Sequence, residues 1–281
     1  METQVRLSDI TMNVRSAGEG PLLVLLHGWP QTLYCWRKVT PALAERFNVV
    51  APDLRGYGHT DKPVGDYTKR RMAADIRELV EVLGYDRVQM VGHDRGGRVA
   101  HRFALDHADV LTHLTVLDIT PTLGMVRTAT YEVAAGYWHW LFHQRPDLPE
   151  LLAGANVDGY LRYLIDDWTF QHAAMADGVP HYVEAFSRPG ALRAGFDDYR
   201  ATPQDVEHDQ ADQDAGHRVE LPVQVLWGDA GLAAGAGALD AWKDFAPAAF
   251  GRAIPECGHF IAEEQPEQLV EAILAHHPAG V

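Results

Sequence analysis

Short apolar runs alternate with amphipathic stretches along the first 120 residues of this 281-residue chain. Residues 3–15 alternate weakly between apolar and polar side chains, which predicts one or two edge strands. "PLLVLLHG" (21–28) is apolar up to its final His-Gly and predicts a strand buried on both faces. "NVVAPDLRGYG" (48–58), "RVQMVGHD" (87–94) and "LTHLTVLDI" (111–119) repeat that pattern. Between them, residues 31–47, 67–84 and 95–108 read as helices. In 67–84, Met72, Ile76, Leu79, Val80 and Leu83 recur at three- and four-residue intervals, and Gly84 supplies a stop. Alternation of this kind predicts an α/β fold, a mainly parallel sheet flanked by helices.

The alternation stops after Asp118. Residues 122–216 are rich in Trp, Tyr, His and Ala, show helical periodicity and contain no strand pattern. An unstructured loop of that length is implausible inside a compact domain. The segment is therefore expected to fold as a helical cap, or lid, inserted into a core made of residues 1–121 and 217–281. "LPVQVLWGDAG" (221–231) resumes the strand pattern, followed by a helix (239–246), a short strand and loop (251–259) and a terminal amphipathic helix (267–277).

Composition narrows the function. Apolar residues make up 47% of the chain, enough for a sizeable core. The net charge of −15 and the lack of a basic stripe argue against a nucleic-acid partner. A small anionic substrate would be repelled at long range and would need local arginines. Cys35 and Cys257 form no C-x-x-C pair and are expected to be free thiols in a reducing compartment. With no apolar leader near the N-terminus and no apolar run of membrane-spanning length, a cytoplasmic location is expected, with no membrane partner.

The chemistry centres on "GHDRGGR" (92–98). A strand, then G-x-nucleophile-x-G, then a helix is the nucleophile elbow, and Asp94 holds its centre. A carboxylate needs no base for a first attack on saturated carbon, and the product is an ester of the enzyme. Arg95 and Arg98 follow, one helical turn apart. They can grip a substrate's carboxylate. The alternative is that Arg95 pairs with Asp94 or a neighbouring acid and Arg98 is a solvated helix charge.

At these residues the chain resembles the α/β-hydrolase superfamily. "LLHGWPQ" (25–31) looks like the loop that supplies an oxyanion-hole N–H, and "DLRGYGHTDKP" (53–63) like a turn of epoxide hydrolases and dehalogenases. "CGHFIAEEQPE" (257–267) looks like the loop carrying the catalytic histidine. Within the superfamily the chain is most similar to fluoroacetate (haloacetate) dehalogenases, through Asp94-Arg95 with Arg98, Asp118 in "VLDI", "YWHW" (137–140) and "DDYR" (197–200).

That resemblance implies hydrolytic dehalogenation of short 2-haloacids, fluoroacetate to glycolate and fluoride, through an aspartyl ester. His259 would be the general base. Asp118 would support it, although Asp229 in "WGDAG" stands near the place many relatives use, where this chain has Gly231. Backbone N–H groups of Trp29 and Arg95 would hold the oxyanion. His139, Trp140 and Tyr199 would receive the halide, and Trp168 could line the same pocket. Without the resemblance, "AAGYWHWLF" reads as an aromatic packing helix. The resemblance also implies a homodimer and no cofactor.

Two rivals follow from the same residues. An epoxide hydrolase would use the same Asp-His-Asp set with two lid tyrosines, from among Tyr137, Tyr160, Tyr163, Tyr182 and Tyr199. A non-catalytic binder could keep the fold to sense a small molecule. His139 and His143 have metal-ligand spacing but no third ligand nearby, so no metal is expected. His27 and His93 read as structural, and Arg55 as the brace of its turn. No G-x-G-x-x-G follows the first strand and no P-loop is present, so no nucleotide is implied.

Overall fold

The computed structural model describes residues 1–234 and 237–279. Eight strands form one sheet: β1 (Glu2–Arg6), β2 (Thr11–Ala17), β3 (Leu22–Leu26), β4 (Asn48–Pro52), β5 (Val88–His93), β6 (Leu111–Leu117), β7 (Val223–Gly228) and β8 (Phe250–Ile254). Their order is β1-β2-β4-β3-β5-β6-β7-β8. β1 and β2 pair antiparallel as an edge ribbon, and β2 also runs antiparallel to β4. The other neighbours are parallel. Every residue of β3 and β5 is buried, as their uninterrupted apolar runs require.

The helix Lys69–Val82 turns Met72, Ile76, Leu79 and Val80 into the core, and the Thr68 side chain caps its start. Residues 31–47 differ from the single helix expected. They form a 3₁₀ turn, Leu33–Lys38, then a short helix, Thr40–Leu43. Pro41 is the cause: it has no N–H to donate and is tolerated only in a helix's first turn, so a new helix starts there. Between β6 and β7 the chain forms nine helices and no strand among the described residues. No helix among them is long and apolar enough to cross a membrane.

The chain leaves β3 to one side and returns at β5 on the other, which opens a crevice above their carboxyl ends. Ligands of open α/β sheets bind at such a switch point. Asp94 stands there with φ 45°, in the left-handed region that side chains rarely adopt. The turn leaves no space behind it. A Cβ on Gly96 would lie 2.3 Å from the His27 carbonyl oxygen and 2.4 Å from that of Leu26. Gly96→Ala is therefore expected to lower unfolding stability by about 3 kcal/mol, the upper range of overpacking costs. Urea denaturation with matched m-values checks it.

Candidate active site

Three elements converge on Asp94. It begins the helix Asp94–Asp106, directly after β5. The Trp29 backbone N–H, in the loop after β3, donates to Asp94 Oδ2 at 2.9 Å. Arg95's own N–H lies in the first helical turn, where no intrahelical acceptor exists. Burial alone would raise the Asp94 pKa, but His259, His93, Arg95 and Arg98 together hold the carboxyl below its ordinary value. Asp94 is thus kept ionised.

Asp118 follows β6, also at positive φ, 47°. Its Oδ2 lies 2.6 Å from His259 Nδ1 and also accepts the Leu232 N–H at 3.0 Å. Imidazole orientation follows, because Nδ1 carries the proton that Asp118 accepts. Nε2 is left buried with no partner among the described residues. Burial opposes protonation of His259, but the Asp118 hydrogen bond and the charges of Asp118 and Asp94 outweigh it and raise the pKa. Asp229 is engaged elsewhere. It accepts the backbone N–H groups of Glu256 and Cys257, both at 3.1 Å. Gly231 has a matching reason to be glycine: a Cβ there would lie 2.4 Å from Asp118 Oδ1. An acid at position 231 and an acid at 118 would compete for one space.

The two arginines separate. Arg95 is paired with an acid, as one of the two readings held, and that acid is Asp198 from the helix Ala191–Arg200. Nε and Nη2 of Arg95 donate to the Asp198 side chain at 3.0 and 2.8 Å, and Nη2 also to its carbonyl at 2.7 Å. Only Nη1 has no protein partner among the described residues. Asp198 also binds the Lys69 ammonium and accepts from Tyr57 Oη at 2.6 Å. Arg98 is not the solvated charge of that reading. It is 5% exposed, donates through Nη1 to the Thr120 carbonyl and Thr122 Oγ1, and stacks 4.4 Å from the Trp140 ring. Among the described residues no carboxylate forms an ion pair with it. Burial and the neighbouring Arg95 charge lower its pKa, as befits a cation lacking its own anion.

Asp94, Arg95, Arg98, His139, Tyr199 and His259 line one cavity, together with Asp118, Ile119, Tyr137, Trp140, Trp168 and Leu232. Its free volume is about 10 Å³ for the centre of a water-sized sphere, close to what one water needs. An alpha/beta-hydrolase-fold model matches residues 21–266 of the chain.

The chain belongs to the α/β-hydrolase family.

A fluoroacetate dehalogenase from Burkholderia sp. is 44% identical over 240 residues, covering 81% of this hydrolase and 77% of that protein. A soluble epoxide hydrolase from Corynebacterium sp. (strain C12) is 37% identical over 278 residues, covering 96% and 95%. The solved structure of an epoxide hydrolase, CorEH, without ligand superposes with a TM-score of 0.92 at 37% identity, covering 98% of each chain. Fold and ancestry make this protein a hydrolase, and the two named activities stand almost equally near it.

The insertion decides how far the cavity agrees with each. His139 is buried and pushed down to about 3, chiefly by burial, so it faces the cavity as neutral imidazole. The Tyr199 ring lies 4.3 Å from the Arg95 guanidinium, and its hydroxyl has no partner among the described residues. Trp140 departs from expectation. Its ring lines the cavity, but its indole N–H donates to Thr202 Oγ1 at 2.9 Å and is not free for a halide. Trp168 lines the cavity with its ring 4.5 Å from that of His139. Among the other tyrosines, Tyr137 Oη donates to the Leu232 carbonyl, Tyr160 Oη meets His143 Nε2 and Tyr182 Oη donates to Glu263. Tyr163 is exposed. No group of His, Cys, Asp or Glu among the described residues is placed to hold a metal.

Sequence reasoning missed Asp198 as a partner, although "DDYR" contains it. Its only local sign is an acid on the buried side of an amphipathic helix. Ile119 and Leu232 carried no sign of lining the cavity.

With the Asp118–His259 pair in place, Asp118→Asn is expected to lower turnover by about 10⁴-fold, as loss of a triad acid does elsewhere. Asp229→Asn should cost under about tenfold, since it loosens a loop without touching His259. Steady-state kcat on a common substrate separates the two. A base at His259 must be neutral to take a proton, and, against the effect of burial, the Asp118 hydrogen bond leaves the His259 pKa raised. Activity should therefore fall with decreasing pH through a midpoint above the ordinary histidine value, read from the acidic limb of kcat against pH.

Proposed function

We propose that this hydrolase removes halide from short 2-haloacids, with fluoroacetate as the leading substrate and glycolate as product. The observation that carries this reading is Arg98, a buried guanidinium without an ion-pair partner among the described residues, lining the same cavity as the ionised Asp94. A substrate carboxylate on Arg98, with help from Arg95 Nη1, would supply the missing charge and hold the α-carbon over Asp94. Asp94 then displaces halide: a C–O bond forms, the C–F bond breaks, and fluoride leaves with the electron pair. His139 and Tyr199 are the donors suited to receive it. Trp140 is left out of that role because its N–H is engaged with Thr202.

Water next attacks the ester carbonyl of Asp94. His259 Nε2 takes the water's proton, Asp118 stabilises the imidazolium, and the Trp29 and Arg95 backbone N–H groups hold the oxyanion. Collapse breaks the bond between the Asp94 carbonyl carbon and the ester oxygen, and the glycolate oxygen leaves with the intermediate's remaining hydroxyl proton. The His259 imidazolium returns its proton to solvent, which restores an ionised Asp94 and a neutral base.

The epoxide hydrolase reading is favoured by the relative that spans nearly all of this chain. It calls for two tyrosine hydroxyls at the reacting oxygen. Here Tyr199 is free and Tyr137 is engaged with a carbonyl. It also leaves Arg98 without an anion. A non-catalytic binder would have no use for an unpartnered His259 Nε2 beside an ionised elbow carboxylate.

Fluoride, chloride and bromide release from the corresponding haloacetates, beside styrene oxide turnover, tests the reading. Fluoride release is expected. Asp94→Asn should abolish it, and His259→Asn should release one halide per site and trap the ester. Turnover of styrene oxide with no halide release would sink the proposal. Arg98→Met is expected to raise KM for haloacetate roughly 100-fold, the cost of leaving a carboxylate without its guanidinium, with styrene oxide binding little changed.

A further inference from the structure

The loop that carries His259 is held by a group outside the catalytic set. Glu264 is 4% exposed and sits five residues after the histidine. Its carboxylate accepts four backbone N–H groups. Oε1 takes Phe260 at 3.0 Å. Oε2 takes Gly258 at 3.0 Å and Phe170 and Gln171 at 2.8 Å each. The two N–H groups that flank His259 thus end on one carboxylate. The third, from His259 itself, donates to the Trp168 carbonyl at 2.8 Å. Three consecutive amides are fixed, and every anchor is either Glu264 or the inserted segment that Glu264 also holds. No cation forms an ion pair with Glu264 among the described residues, so backbone dipoles alone satisfy its charge.

We infer that Glu264 is a positioning residue for the second half of the reaction: it locks the His259 imidazole to the cavity wall through Gly258, Phe260 and the Phe170–Gln171 segment. Asp94 attack needs no base, so it depends little on the aim of His259. Ester hydrolysis needs Nε2 aligned with a water and the ester carbonyl, where a displacement near 1 Å can cost about 100-fold. The loss from Glu264 should therefore fall on one step. The inference rests on the Asp94 ester of the proposed function, and it holds for either substrate class, because epoxide opening leaves an ester at the same oxygen.

The test uses Glu264→Gln and Glu264→Ala in the full chain. Gln keeps the shape and most of the acceptor sites, while Ala removes them all. Rapid-quench halide release from fluoroacetate, intact mass and steady-state kcat are measured together. Glu264→Ala should keep a burst of one halide per site, accumulate protein heavier by one carboxymethyl group, and lose roughly 100-fold in kcat, with Glu264→Gln about midway. A burst and kcat that fall together, or a kcat that does not move, overturn the inference.

Wild-type protein that gives no halide and no adduct overturns the dehalogenase reading instead, and the same split is then read with styrene oxide. A substrate-free measurement covers the remaining case. The downfield proton of the His259 Nδ1–Asp118 hydrogen bond should be sharp in wild type, weaker in Glu264→Gln and lost in Glu264→Ala. If Glu264→Ala does not fold, the Gln variant carries both readouts. An unchanged resonance in a folded variant overturns the positioning role.

Discussion

The site depends on a carboxylate that takes no part in the chemistry. Asp198 is fully buried, and burial alone would push its proton affinity up. Arg95 and Lys69 reverse that and keep it ionised. A buried charge is tolerable only when it is matched and hydrogen-bonded. Asp198 satisfies this with partners from three regions: the elbow helix, the helix at residue 69 and Tyr57 in the turn after β4. It thereby binds the inserted helices to the sheet and fixes which face Arg95 presents. Asp205 continues the tie by accepting the Lys69 backbone N–H at 2.7 Å.

Charge matching then sorts the remaining groups. Arg95 has Asp198, and Asp118 has His259. Arg98 and Asp94 are left facing one cavity without a direct bond between them. A nucleophile bonded to the nearest guanidinium would be a poorer nucleophile, and a guanidinium quenched by the nucleophile could not bind an anion. Under the proposed chemistry, removing Arg95 from that competition lets an attacking carboxylate and a cation for a second carboxylate share one cavity. The same proposal fits an acidic protein, since the small positive field that a substrate anion would need is built inside, where solvent screening is weak.

The parts legible in the sequence were those written by local pattern. Buried parallel strands appear as uninterrupted apolar runs, the elbow as glycines around Asp94, and the insertion as a long stretch with helical period. The choice between Asp118 and Asp229 was half visible in Gly231, and its steric meaning needed coordinates. What stayed hidden was pairing across distance. Nothing near Trp140 signals that Thr202, sixty-two residues on, takes its N–H. Nothing near Arg95 signals Asp198, 103 residues on. "EEQPE" is legible only as the end of the histidine loop, yet Glu263 and Glu264 are both buried, one against Arg37, Tyr182 and Gln31 and the other against four amides. Composition alone reads the aromatic segment as packing; the resemblance places His139, Trp140, Trp168 and Tyr199 at a pocket, and neither tells which polar tips face into the cavity.

The Trp29 N–H bond to one oxygen of Asp94 makes the two carboxylate oxygens unequal before any substrate arrives. Oδ2 is held and Oδ1 is left to react. Under the proposed chemistry, the atom transferred to carbon is the free one, and it leaves in the product when the ester opens. Solvent supplies its replacement. The protein is then a reagent as well as a catalyst, because each cycle hands away an oxygen of its own polypeptide and takes one back from water. An Asp94 that began life with the isotopes of the growth medium would, after one turnover, carry the isotope of the buffer in one of its two carboxylate oxygens.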